Sequence, residues 1–200
     1  MKRLLLFTSL TLGLPACGGL FCNSASCGCD PPSPATKYDI VGAVLTPISR
    51  ANGGVAVIST GESVSRSAFT LQLALDTKLV AQRTESAGWG AAYACSPLEP
   101  QFTEQVTSIT VTSLNALDAQ HPAGFSINDL LHLYYPGQPN PYGLFGNYLQ
   151  IYNQQPLPLV ELKLVAFEQA ATGPHQFRVE YKLTNGEAYT AETPLITLTQ

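Results

Sequence analysis

The chain has 200 residues, of which 45 % are hydrophobic and only 12 % are charged. This length and composition suffice for one domain with a sizeable apolar core and a surface made largely of uncharged polar residues. The net charge of −4, with Lys and Arg scattered, argues against a nucleic-acid partner, because phosphate binding needs a basic patch.

The first residues have the layout of a secretory signal peptide. Lys2 and Arg3 give a positive start, and the apolar run that follows is too short to span a bilayer, which takes about 20 residues. The tetrapeptide Leu14-Pro15-Ala16-Cys17 then resembles the lipobox of bacterial lipoproteins, in which a Leu and two mostly small residues precede a Cys. We therefore expect residues 1–16 to be removed as a signal peptide.

The lipobox resemblance implies that the Cys17 thiol carries a diacylglyceryl group and that the new amino terminus is acylated, for example with palmitate. Each buried CH₂ contributes about 0.8 kcal/mol, so two or three acyl chains hold a protein firmly on a membrane. Gly18, rather than an Asp, follows the cysteine, and this resemblance favours the outer membrane. The alternative is an ordinary cleaved leader with Cys17 in a disulfide.

Four further cysteines are candidates for disulfides: Cys22, Cys27, Cys29 and Cys95. An even number in an exported chain is typical of disulfide bonding, and four cysteines allow three pairings. We expect Cys95 to pair with one of the other three. A metal site is the alternative, but the spacing Cys22-x₄-Cys27-x-Cys29 departs from the usual zinc pairs, so we expect no metal.

The composition changes sharply near residue 38. Residues 17–37 are rich in Gly, Ser, Cys and Pro, which predicts a tether that its prolines stiffen toward polyproline II. A disulfide-knotted mini-module is the alternative for this segment. Residues 38–200 contain the core-forming side chains, and we expect them to form the folded domain.

The domain is predicted to consist of short strands joined by turns. Residues 68–75 and 177–183 alternate apolar and polar side chains, which is the period of half-buried strands. Asn185-Gly186 supplies the residues of a type I′ turn leading into a strand at 187–191. Pro47 ends the first strand or marks it as an edge. The other predicted strands are 38–45, 55–58, 91–95, 106–114, 160–167 and 195–198.

One segment predicts a helix. Ser126 is a candidate N-cap with Asp129 three residues later, and Pro136-Gly137 would stop the helix. The apolar residues at helical spacing between them are Ile127, Leu130, Leu131 and Tyr134. A further short helical turn is expected within residues 144–152.

Many short strands and one short helix predict an all-β fold, an antiparallel β-sandwich with immunoglobulin-like layers. The Cys…Trp…Cys pattern of true immunoglobulin domains is absent. The order of elements is also similar to uncharacterised Bacteroidetes lipoproteins that carry a domain of unknown function. This resemblance rests on the Cys-rich start, the strands at 68–75 and 106–114, and the segment 121–130, and it implies an envelope-exposed β domain without a known activity.

No catalytic constellation is evident. His132 lies three residues after Asp129, so the two would share one face of the predicted helix, but no G-x-S-x-G nucleophile motif accompanies them. We interpret them as an exposed pair and interpret His121 and His175 as surface turn residues. The sequence also shows no motif for a phosphate or a cofactor, so we expect none.

Aromatic residues are the strongest candidates for ligand binding. Rings between positions 134 and 152 lie among Asn and Gln, and Trp89 is flanked by glycines. Exposed aromatic rings beside amides can stack on and hydrogen-bond a sugar or a peptide. The alternative, which we favour, is that most of these rings plug one end of the sandwich. The candidate contacts are Trp89, Tyr135, Tyr142 and Tyr148.

These features favour a non-enzymatic binding or structural module, held on the membrane by the lipid on Cys17, with a glycan or an envelope protein as its partner. A second hypothesis is an accessory subunit of an envelope complex that contacts its partners through a strand edge or through residues 134–158. A third is a hydrolase whose catalytic residues the sequence does not identify.

Overall fold

The computed structural model describes residues 36–51, 53–81, 101–138, 140–164 and 171–200. The features below belong to the compact unit formed by Lys37–Ala81 and Pro100–Gln200. Within these ranges no helix is long and apolar enough to cross a membrane. Several predictions fall outside the described residues: the signal peptide, most of the tether, the strand at 91–95, Trp89, Cys17, Cys22, Cys27, Cys29 and Cys95.

The described chain is built almost entirely from strands. In order they are β1 (Lys37–Ser49), β2 (Ala56–Val57), β3 (Ser63–Ser65), β4 (Phe69–Ala81), β5 (Gln101–Phe102), β6 (Val106–Ser113), β7 (Leu131–Tyr134), β8 (Gly143–Leu144), β9 (Leu159–Leu164), β10 (Gly173–His175), β11 (Phe177–Leu183), β12 (Ala188–Glu192) and β13 (Ile196–Thr199). One α-helix, α1 (Tyr148–Ile151), and two 3₁₀ turns, at Asn128–Leu130 and Phe145–Asn147, complete the elements.

The strands form three sheets. The largest has the order β2-β1-β4-β9-β7-β8, with β5 beside the start of β1, and the two smaller sheets have the orders β12-β11-β6 and β10-β13-β3. All neighbours are antiparallel except the pairs β1–β5 and β13–β3. The longest ladder joins β1 to β4, from Lys37 opposite Ala81 to Ser49 opposite Phe69.

One apolar core lies between the sheets. Alternate residues of β4 (Leu71, Leu73) and of β11 (Phe177, Val179) are buried, because side chains along a strand point to opposite faces. The Phe69 and Phe177 rings stack across the layers with centroids 5.3 Å apart. Each such side chain contributes about 1.5–3 kcal/mol by its burial. The predicted all-β antiparallel sandwich is therefore confirmed.

The strand predictions succeed where the period of two is regular. The predicted strand 177–183 coincides with β11, and 106–114 differs from β6 by one residue. Pro47 is predicted to end the first strand or to mark it as an edge, but β1 continues to Ser49, and β2 pairs with the two residues after the proline. The short helical turn expected within 144–152 is also present, as α1 and the 3₁₀ turn before it.

The helix predicted from Ser126 onward is wrong. Residues 128–130 form a single 3₁₀ turn, and 131–134 form β7, in which Leu131 and Leu133 are buried. The reason is a set of contacts with β6. The Asn128 side chain accepts a hydrogen bond from Val111 N (2.8 Å) and donates one to Ile109 O (2.7 Å), and Ile127 N donates to Val111 O (2.9 Å). These bonds hold residues 127 and 128 against the edge of β6 that does not pair with β11, and a helix starting at Ser126 does not form.

The hairpin expected at Asn185-Gly186 is present, but its turn is not of type I′. That type needs a positive φ at both central residues, whereas of these two only Gly186 has one (90°). The Asn185 side chain instead accepts a hydrogen bond from Glu187 N (2.9 Å), which stabilises the turn locally. The hairpin joins β11 to β12.

The contact between Asn128 and β6 can be tested by mutation. We expect Asn128→Ala to lower the free energy of unfolding by about 2 kcal/mol, because it leaves a donor and an acceptor of β6 without their partner. Urea denaturation followed by circular dichroism measures the change. Asn115→Ala is the matched control and should lose less, because within the described residues this amide accepts a single hydrogen bond, from Gln176 N (2.9 Å). Equal losses would contradict the assignment.

Candidate functional site

The segment after β7 brings four tyrosines together, and we call Tyr135, Tyr142, Tyr148 and Tyr152 the tyrosine cluster. A turn follows β7, in which Gln138 N donates to Tyr135 O (3.0 Å). Tyr142 N then donates to Leu133 O (2.8 Å), which returns the chain alongside β7. Helix α1 supplies the other two members at its first residue and just after its last.

The four rings form one connected group. Tyr135 and Tyr142 pack edge to face with centroids 4.5 Å apart, and the Tyr152 ring lies 6.1 Å from the first and 6.5 Å from the second. Tyr148 lies 5.1 Å from Tyr152 on the other side. Edge-to-face packing of this kind adds about 0.5–1.5 kcal/mol per pair beyond the area buried.

The cluster runs from the core to the surface. Tyr148 is 3 % exposed, and its hydroxyl donates to Gln155 O and accepts from Leu157 N, both at 2.9 Å. Tyr142 is 56 % exposed, whereas Tyr135 and Tyr152 are half-buried. Tyr148 is therefore part of the buried core, as the favoured alternative predicts, and cannot contact a ligand at the surface. Tyr142 and Tyr135 remain accessible.

Two phenols of the cluster, those of Tyr148 and Tyr152, stay protonated near neutral pH. Burial raises the pKa of Tyr148 and of Tyr152 well above the ordinary tyrosine value, and the neighbouring tyrosines add to the shift for Tyr152. A protonated phenol can donate one hydrogen bond and accept another. The cluster can thus offer ring faces and hydrogen-bonding groups to a ligand.

A second polar cluster was not predicted: His121 lies between Asp118 and Asp129. Its Nδ1 is 2.8 Å from Asp118 Oδ1, and its Nε2 is 3.2 Å from Asp129 Oδ2. The Asp118 carboxylate also accepts from Gln120 N and His121 N, both at 2.7 Å. Among the described residues, the only side chains bonded to this ring are carboxylates, so the geometry provides no nucleophile.

Hydrogen bonds and burial act in opposite directions on the pKa values of His121 and Asp118. Burial alone would lower the pKa of His121, but the hydrogen bonds to Asp118 and Asp129 outweigh it, and the pKa lies above the ordinary histidine value. Burial alone would raise the pKa of Asp118, but the hydrogen bonds from His121 and Gln120 lower it. The hydrogen bonds of His121 to Asp118 and Asp129 therefore connect the 118–122 loop to the 3₁₀ turn at Asn128–Leu130, and we call these three residues the histidine clasp.

The predictions for the three histidines need correction. His121 and His175 were expected at the surface, but they are only 8 % and 2 % exposed. Asp129 pairs with His121 rather than with His132, because residues 128–134 do not form the helix that would have aligned Asp129 and His132. His175 Nε2 donates to Ala171 O (2.9 Å), and burial lowers its pKa.

The histidine clasp had only a weak signal in the sequence. Asp118 lies three residues before His121, a spacing typical of a turn in which a side chain accepts backbone hydrogen bonds.

Among the described residues there is no group of three or more metal-ligating side chains arranged to hold a metal ion. Comparison of the chain with protein-family models, with curated proteins and with solved structures found no match.

The histidine clasp predicts a pH-dependent contribution to stability. The folded-state pKa of His121 lies above its unfolded value, so its contribution is full below about pH 6.5 and is lost as the pH rises through the folded-state pKa. We expect His121→Gln to lower the free energy of unfolding by about 1.5–3 kcal/mol at pH 5.5 and by clearly less at pH 9.

Urea denaturation at the two pH values measures this difference. His132→Gln is the control for loss of a histidine, since no side chain of the described residues forms a hydrogen bond with its ring. A loss in His121→Gln that is the same at both pH values would show that the clasp does not depend on a charged histidine.

Proposed function

We propose that this chain is a lipoprotein of the bacterial cell envelope, anchored through Cys17 to the outer membrane, and that its β-sandwich binds an envelope ligand without catalysing a reaction. The observation that carries the binding proposal is the accessible edge-to-face pair Tyr135–Tyr142. The anchoring proposal is supported by the tetrapeptide that ends at Cys17.

The geometry of the tyrosine cluster favours a neutral, hydroxyl-rich ligand such as a glycan. Tyr142 exposes ring surface on which the C–H face of a sugar can stack, and its phenol can pair with a sugar hydroxyl. Tyr135 holds this ring edge to face, so little conformational freedom is lost when a ligand binds. Rigid aromatic rings with a polar end are common contacts in such interfaces.

The first test concerns ligand binding. We expect Tyr142→Ala to weaken binding to any glycan selected from an array by about tenfold or more, because the stacking surface is lost. Isothermal titration calorimetry measures the affinity. Phe125→Ala removes a ring that is 60 % exposed outside the cluster, and it should leave the affinity unchanged. A glycan bound equally well by Tyr142→Ala would contradict the proposed site.

The second test concerns the anchor. We expect Cys17→Ala to abolish incorporation of a palmitate analogue and to release the protein from the membrane fraction, because the thiol that carries the diacylglyceryl group is missing. Metabolic labelling followed by cell fractionation measures both effects. Cys22→Ala is the matched control and should remain labelled. A Cys17→Ala protein that is processed normally and stays with the membrane would refute lipidation at this residue.

One observation favours the second candidate, an accessory subunit of an envelope complex. Several apolar side chains on the β1–β4 ladder are about half exposed: Val41, Val44, Leu79 and Val80. Exposed apolar side chains on paired strands are candidates for a protein–protein contact. Co-purification of a stoichiometric envelope protein, with no glycan bound by the wild-type chain, would favour this candidate over the first.

A further inference from the structure

The outer face of the largest sheet contains a small charged pocket that the tyrosine cluster does not use. Val160, Leu162 and Leu164 of β9 face the core, so Glu161 and Lys163 share the opposite face. The pocket has a volume of about 220 Å³. Its lining consists of Arg50, Gly137, Gln138, Glu161 and Lys163.

An ion pair with a buried carboxylate lines this pocket. Glu161 is 2 % exposed, and Arg50 Nε donates to its Oε2 at 2.7 Å while Arg50 Nη2 donates to Oε1. The two parallel bonds hold the guanidinium in one orientation. The backbone of Arg50 is also held in position, because Arg50 N donates a hydrogen bond to Ala68 O (2.8 Å).

The second cation is also held in position. Lys163 Nζ lies 4.5 Å from the centre of the Tyr134 ring, within the range of a cation–π contact. Gln138 closes the pocket from a turn in which Pro136 and Gly137 are the central residues and Gly137 has φ of 79°. This is the arrangement of a type II turn, which favours glycine at that position.

The pocket has more hydrogen-bond donors than acceptors. Within the described residues, the Nη1 group of Arg50, the ammonium of Lys163 and the side-chain amide of Gln138 have no hydrogen-bond partner. Two cations face one carboxylate, so the pocket carries a net charge of one positive unit. Such a surplus is complementary to a group that only accepts hydrogen bonds and is negatively charged.

We propose that this pocket binds the oxyanion group of a small ligand, a carboxylate or a phosphate. Glu161 acts as a positioning residue for Arg50, and the Arg50 guanidinium, Lys163 and Gln138 contact the anion. The volume is below that of pockets for drug-sized molecules, so the pocket takes a small anion or the anionic end of a larger molecule. The proposal does not depend on the tyrosine cluster.

Two pairs of probes test it at constant low ionic strength. Sodium phosphate is compared with sodium chloride, and N-acetylmuramic acid is compared with N-acetylglucosamine, which lacks the carboxylate. We expect at least one of the two oxyanions to bind the wild-type chain in isothermal titration calorimetry, and its affinity to fall about tenfold or more in Lys163→Met. The probe that binds tells whether the anion is a free phosphate or a sugar carboxylate.

Matched variants separate this pocket from other effects. Lys182→Met removes a 47 % exposed lysine that pairs with Glu180 on β11, and it should leave the affinity unchanged. Tyr142→Ala should also leave phosphate binding unchanged, so a failure of the glycan proposal would be seen separately. Absence of binding by both oxyanions, or the same affinity in Lys163→Met, would overturn the proposal.

Discussion

The alternation of side chains along β9 determines on which face of the sheet Glu161 and Lys163 lie. Its apolar residues Val160, Leu162 and Leu164 belong to the buried core. A shift of one residue in its pairing with β4 would turn Glu161 and Lys163 inward, and burying an unpaired charge costs several kcal/mol. The register that builds the core therefore also builds the charged face.

On that face the Glu161 carboxylate needs a charged partner, because it is almost fully buried. Arg50 meets this need from the end of β1, 111 residues earlier in the chain. A partly buried ion pair of this kind gives little net stability, because desolvation offsets most of the attraction, but removal of the arginine leaves the buried carboxylate uncompensated. Its value to the structure is orientation, and an oriented guanidinium is what an oxyanion requires.

The sequence predicts what depends on local pattern and misses what depends on distant contacts. Residues 177–183 alternate so regularly that β11 could be predicted to the residue. Residues 126–134 satisfy both a helical and a strand pattern, and the choice between them is made by Asn128, whose amide bonds to β6 17 and 19 residues upstream. No local rule contains that information.

The same distinction applies to the sites. The density of tyrosines between 134 and 152 is visible in the sequence, but the burial of Tyr148 is set by tertiary contacts. Asp118 could have been suspected as a partner of His121 from its spacing, whereas Asp129 is eight residues away across a turn. The Arg50–Glu161 pair has no signal in the sequence at all, because each residue alone resembles an ordinary surface charge.

The buried member of the tyrosine cluster gives the exposed members their rigidity. The Tyr148 hydroxyl bridges Gln155 O and Leu157 N, and Gln154, which has φ of 62°, accepts a hydrogen bond from Val106 N of β6 at 2.8 Å. These bonds fix the segment after α1 to the sandwich, and with it the Tyr152 ring, against which Tyr135 and Tyr142 pack.

The turn that begins at Tyr135 ends at Gln138, which lines the oxyanion pocket. The exposed rings and the pocket are thus joined by one short, hydrogen-bonded segment. Since a rigid surface loses little entropy on binding, this arrangement favours recognition by a few fixed contacts over recognition by a flexible loop.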